Sequence, residues 1–119
     1  MMSLQNKLKQ LGEGLANISA NFHHYRRVET AAPFGVWAEQ FEENSFRADN
    51  KKKVQGIHCA VDYYTQTEFD ATLDAIQEYL DGTGFDWSLD NVEYEDDMNL
   101  IHYNWSVTIY GKADGQGAG

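Results

Sequence analysis

Ile57-His58-Cys59-Ala60-Val61-Asp62-Tyr63-Tyr64-Thr65 alternates apolar and polar side chains residue by residue, the pattern of a strand with one buried face. Ile57, Cys59, Val61 and Tyr63 share one side of it, and His58, Ala60, Asp62 and Tyr64 the other. Upstream, Phe34 to Phe41 sets Phe34, Val36 and Ala38 against Gly35, Trp37 and Glu39, which predicts a second half-buried strand. Pro33 restricts Ala32 to extended geometry immediately before it. His23 to Val28 reads as a short first strand. Downstream, two more strands are predicted near Trp87–Glu95 and Leu100–Tyr110. In the last, Tyr103, Trp105, Val107 and Ile109 form an inward set opposite His102, Asn104, Ser106 and Thr108.

Two helical stripes flank these strands. Leu4, Leu8, Leu11, Leu15 and Ile18 recur every three or four residues, with Ser3 placed as the cap. Gly12 and Gly14 have low helix propensity, so this helix is expected to fray or end near Gly12–Leu15. Phe69, Leu73, Ile76 and Leu80 mark a second helix, opened by Thr67 and Asp70 as a variant capping box and closed at Gly82. Glu68 and Asp70 would then lie in its first turn, where the helix dipole favours them. The order helix, three strands, helix, two strands predicts a single α+β domain over residues 1–111. Its expected form is a mainly antiparallel sheet of about five strands, with one central helix packed on it and an N-terminal helix. Residues 112–119, with three glycines, are expected to form a flexible tail.

The 119 residues carry a formal charge of −10, with 42% hydrophobic and 13% aromatic residues. That hydrophobic content supports a core without metals or disulfides, and the one cysteine, Cys59, cannot form an intrachain bridge. A cytosolic origin follows as the expectation. The first twenty residues match neither a signal peptide nor a membrane span, so no membrane role is expected. The charge is unevenly placed. Residues 1–60 hold eight basic and six acidic residues, a balance of +2, whereas residues 61–119 hold thirteen acidic residues and the single cation Lys112, a balance of −12. Net negative charge argues against a broad phosphate-binding surface and sequence-specific nucleic-acid recognition. Opposite patches on different faces suit head-to-tail self-association, while a solvated acidic face is the plainer alternative.

Catalytic and metal-binding patterns are not found. His23 and His24 are adjacent and would point to opposite sides of a strand. His58 and His102 could meet across a sheet, but two imidazoles fall short of a zinc site. The acidic run Asp86, Asp90, Glu93, Glu95, Asp96, Asp97 lacks the ligand order and turn glycine of an EF-hand loop. Cys59 lies on the apolar side of its strand and reads as a core residue, and no nucleophile elbow or phosphate loop occurs. No enzyme activity, cofactor or metal is therefore expected. The segment that stands out is Phe46-Arg47-Ala48-Asp49-Asn50-Lys51-Lys52-Lys53, an aromatic residue and four cations on an expected exposed loop or projecting hairpin tip. Docking onto an acidic partner surface, including a second copy of the chain, accounts for it most economically; a local nucleic-acid contact is the other option.

Ala32-Pro33-Phe34-Gly35-Val36-Trp37, Phe46-Arg47-Ala48-Asp49-Asn50, the strand end Val61-Asp62-Tyr63-Tyr64-Thr65 and the closing Asn104-Trp105-Ser106-Val107 together resemble the tail terminator or tail-completion proteins of long-tailed phages and prophages of Gram-positive bacteria. The resemblance spans roughly residues 23–110, and Ala32 replaces the first of the family's two prolines. It implies a non-enzymatic α+β subunit that forms a ring, typically a hexamer, at the head-proximal end of the tail tube in the virion, after assembly in the host cytoplasm. Such a ring ends tube polymerisation and offers a surface to the head-completion or connector protein. An acidic inner wall would keep passing DNA from sticking. On this view Phe46, Arg47, Asp49, Lys51, Lys52 and Lys53 contact the neighbouring subunit or the tube protein, with Asp90, Glu93, Glu95, Asp96 and Asp97 as the complementary surface. Another neck or tail-completion component of similar fold, or an acidic DNA mimic acting as an inhibitor, are the alternatives.

Overall fold

A computed structural model describes residues 2–113 as an α+β domain of two helices and one six-stranded, mostly antiparallel sheet. In chain order the elements are α1 (Leu4–Ile18), β1 (Phe22–His24), β2 (Phe34–Glu42), β3 (Phe46–Ala48), β4 (Lys51–Thr65), α2 (Ala71–Thr83), β5 (Asp86–Glu95) and β6 (Leu100–Lys112). The strands lie in the order β1-β2-β4-β6-β5, with β3 pairing β4 alone and β1 running parallel to β2. β3 is the strand beyond the expected five. The first strand is shorter than His23–Val28 because Tyr25 turns the chain at a φ of 73°. Lys112, expected to begin the tail, ends β6, and Ala113 beside it is buried; the rest of the expected tail lies outside the described residues.

Both helices cover one face of the sheet. The register places Trp37, Val61 and Trp105 in one row of that face and Tyr63 and Tyr103 in another. Leu11 and Leu15 from α1 and Ile76 and Leu80 from α2 close over them. The inward set of β6 is buried as its alternation predicts, each such side chain contributing about 1.5–3 kcal/mol. On β2 the core residue is Trp37; Phe34 stacks on Tyr64 across the opposite, uncovered face. A bulge between Glu39 and Phe41 then shifts the register, so Phe41 stacks on His58 at 4.5 Å.

Helix ends depart from the sequence expectation for identifiable reasons. Ser3 caps α1 as expected, its hydroxyl accepting from the Asn6 N–H at 3.1 Å. The helix does not end near Gly12–Leu15 but runs to Ile18. A Cβ at Gly12 would lie 2.7 Å from the Trp37 ring, and one at Gly14 only 1.9 Å from the Tyr79 ring. The glycines are therefore packing sites, where burial of two aromatic rings outweighs the propensity cost. The cap of α2 is Asp70, not Thr67: its carboxylate accepts from the Thr72 N–H at 2.9 Å and from the Tyr63 and Thr65 hydroxyls, each at 2.8 Å. Phe69 thus precedes the helix, at a φ of 56°, and is 90% exposed instead of joining the core stripe. Glu68 likewise falls outside the first turn, which holds Asp74. The helix ends at Gly84, left-handed at a φ of 79°, two residues beyond Gly82.

Candidate assembly interface

Asp49 and Asn50 take φ values of 52° and 61°, the paired left-handed geometry of a two-residue hairpin turn. This turn folds β3 onto the first residues of β4 and pushes a two-stranded ribbon beyond the helix-covered body, giving a molecule of 52 × 24 × 23 Å. Of the two forms expected for Phe46–Lys53, the projecting hairpin is the one observed. Phe46 on it is 59% exposed. Lys52 is bound to Glu42, whose carboxyl is held below its usual range by that hydrogen bond first and by one from Ser45 second. Arg47, Lys51 and Lys53 are exposed and have no ion-pair partner within 4.0 Å among the described residues.

The expected acidic counterpart is divided in the structure. Asp96 and Asp97 lie exposed in the β5–β6 turn, at the opposite end of the sheet from the hairpin tip. β4, whose 15 residues join those two ends, spans about 50 Å at the usual strand rise. At physiological salt, charges that far apart are separated by several screening lengths, so the two patches do not neutralise each other within one chain. Asp90 is occupied locally: it sits at the β5 bulge, accepts from the Ser106 and Ser88 hydroxyls, and those bonds, Ser106 first, hold its carboxyl below the usual range. Glu93 accepts from the Asn91 side chain at 2.7 Å. Glu95 lies 4.0 Å from His102.

The histidines separate as well. His23 pairs with Glu29 and His24 with Glu39. His58 stands opposite Thr108 and His102 opposite Tyr64, six residues apart along β4, or about 20 Å, so the two do not meet. His102 Nε2 donates to Asp62 at 2.7 Å, and Tyr64 stacks on its ring at 4.1 Å. Glu93, Glu95 and His102 bring potential ligand atoms within 4.8 Å of one another, a grouping that no spacing in the sequence suggested. It is an open patch on the uncovered sheet face, with Glu93 exposed. Cys59 is fully buried, and burial first, then the charge of Glu39, pushes its thiol up to about 12, which keeps it protonated and unreactive. Among the described residues, no helix is long and apolar enough to cross a membrane.

One charged surface escaped the sequence reading. Asp74, Glu78 and Asp81 follow at spacings of four and three on the outward side of α2 and line, with Gln77 and Trp87, a shallow groove of about 400 Å³ between α2 and β5. None of the three has a cationic partner within 4.0 Å among the described residues. Their spacing in the sequence marks this outward side of the helix as plainly as Leu73, Ile76 and Leu80 mark the inward one.

No family model matches the chain, and no curated protein matches it in sequence.

Proposed function

We propose that this chain is a non-enzymatic structural subunit of a long-tailed phage or prophage, a tail terminator that closes into a ring on the head-proximal end of the tail tube. The observation that carries the reading is the separation of charge along an elongated body. Unpaired cations with an exposed aromatic residue sit on a hairpin at one end, and exposed carboxylates lie at the other, where a second copy can bring the two together. Contacts between two different patches are heterologous, and when the rotation per subunit closes they generate rings. The motif resemblance over roughly residues 23–110 supplies the station in the virion, and a ring typically of six subunits would present one rim to the tube protein and the other to the head connector. The surplus carboxylates would face solvent or passing DNA.

The test is to add purified protein to tail tube protein during polymerisation and measure tube length by electron microscopy. Tubes stopped short, each bearing an annular cap at one end, are expected. Tubes of unaltered length with no added density at either end would overturn the proposal.

A further inference from the structure

β5 is an edge strand that the helices fail to cover. Its helix-side residues Trp87, Leu89, Val92 and Tyr94 face the same way as the core residues Val107, Trp105, Tyr103 and Ile101 opposite them. Yet Leu89 is 39% exposed, Val92 51% and Tyr94 58%. A strand whose inward side chains stay in water has an apolar face prepared but unfilled. This stripe continues from the groove beside Trp87, and the groove's other wall is α2 with Asp74, Glu78 and Asp81. The floor is held from below: Trp105, opposite Leu89, donates its indole N–H to Gln77 at 3.1 Å. An apolar strip with an acidic border calls for an occupant that is aromatic at its centre and cationic at its edges.

We infer that this α2–β5 groove is the receptor for the β3–β4 hairpin of a second copy, with Phe46 seated against Leu89 and Val92 and the cations Arg47, Lys51 and Lys53 set against Asp74, Glu78 and Asp81. The inference rests on the ring-forming reading and names the surface that reading requires. It also relocates the charge contact: the hairpin's cations meet the carboxylates of α2, not those of the Asp90–Asp97 segment, where Asp90 is already tied to Ser106 and Ser88. Charge complementarity selects the occupant. After residue 60 the chain holds thirteen carboxylate residues and one cation, so the groove's own half of the sequence cannot supply the partner, whereas the hairpin carries three unpaired cations around an exposed phenyl ring. The hairpin also projects along the long axis beyond the helix layer, so another subunit can receive it without moving its own body.

The experiment is site-directed disulfide trapping. Phe46→Cys and Leu89→Cys proteins, each otherwise full length, are mixed under mild oxidation; Cys59, buried and with a raised thiol pKa, stays silent. A mixed dimer forming only when both variants are present, and competed away by excess unmodified protein, is expected. Leu89→Cys linking to itself would mean a face-to-face contact and would overturn the groove assignment. So would absence of the mixed dimer while the unmodified protein still sediments as a multi-subunit species, an outcome that leaves ring formation intact. A protein that is monomeric in solution and on tail tubes would overturn the ring reading and this inference together. A charge swap checks the border. Lys51→Glu with Lys53→Glu should reduce association at least tenfold, and adding Glu78→Lys with Asp81→Lys should recover most of it.

Discussion

The β3–β4 hairpin and the α2–β5 flank both bear uncompensated charge, but they stand on different foundations. The hairpin is a two-stranded ribbon with no helix over it, and its side chains contribute nothing to the core cluster. The flank is the outer surface of elements whose inner sides are core: Ile76 and Leu80 of α2 are buried, and β5 is zipped to β6 along its length. Sequence on the hairpin is therefore free to serve contact, whereas on the flank only alternate positions are. That division is what a projecting key and a firmly packed receptor would need.

The comparison breaks most sharply on stability. Trp105→Ala removes a fully buried side chain and is expected to cost about 3–5 kcal/mol in urea unfolding, while Phe46→Ala on the hairpin should cost no more than about 0.5 kcal/mol. Similar costs for the two would mean the hairpin belongs to the folding core. Gly14→Ala comes next. Its methyl would displace the Tyr79 ring and the hydrogen bond from Tyr79 to the Gln10 carbonyl, for a loss of about 1–3 kcal/mol despite alanine's better helix propensity. A gain in thermal stability would refute the packing role given to that glycine.

Asp70→Ala should cost about 1–2 kcal/mol, because the carboxylate caps α2 and ties it to the end of β4. Burial pushes this carboxyl up, but hydrogen bonds from Thr72, Thr65 and Tyr63 outweigh it and hold it below its ordinary value of 3.8. Because the folded value is the lower one, the stabilisation is complete above the ordinary value and is lost as pH falls from there toward the folded value. Unfolding curves from pH 6 to pH 2 should show the variant's deficit shrinking on acidification; a constant deficit would contradict the assignment. The smallest effect belongs to the hairpin charges. Lys51→Glu with Lys53→Glu should shift unfolding free energy by no more than about 0.5 kcal/mol, although it is expected to weaken association at least tenfold.

Much of the fold was legible because one face of each strand had to be apolar. The inward sets of β4, with Cys59, Val61 and Tyr63, and of β6, with Tyr103, Trp105, Val107 and Ile109, follow from alternation alone, whereas their register does not. What escaped were features decided by contacts distant in sequence. Phe69 stands four residues before Leu73 and so fits a helical stripe, yet the Tyr63 and Thr65 hydroxyls recruit Asp70 as the cap and start the helix after it. Gly12 and Gly14 looked like breakers because nothing local reveals that Trp37 and Tyr79 come to rest there. For the interface, the cationic hairpin was legible from composition. Its receptor was not, because the exposure of Leu89, Val92 and Tyr94 depends on where the helix layer stops.

The central claim is that hairpin cations and flank carboxylates meet between copies. Light-scattering mass, measured at low salt and again near 1 M salt, tests it most directly, since screening shortens from about 10 Å at 0.1 M to about 3 Å at 1 M. The expected result is a multi-subunit mass at low salt that falls toward the monomer as salt rises, is lost with Lys51→Glu and Lys53→Glu, and returns when Glu78→Lys and Asp81→Lys are added. A multi-subunit mass indifferent to salt and to both sets of reversals would contradict the claim.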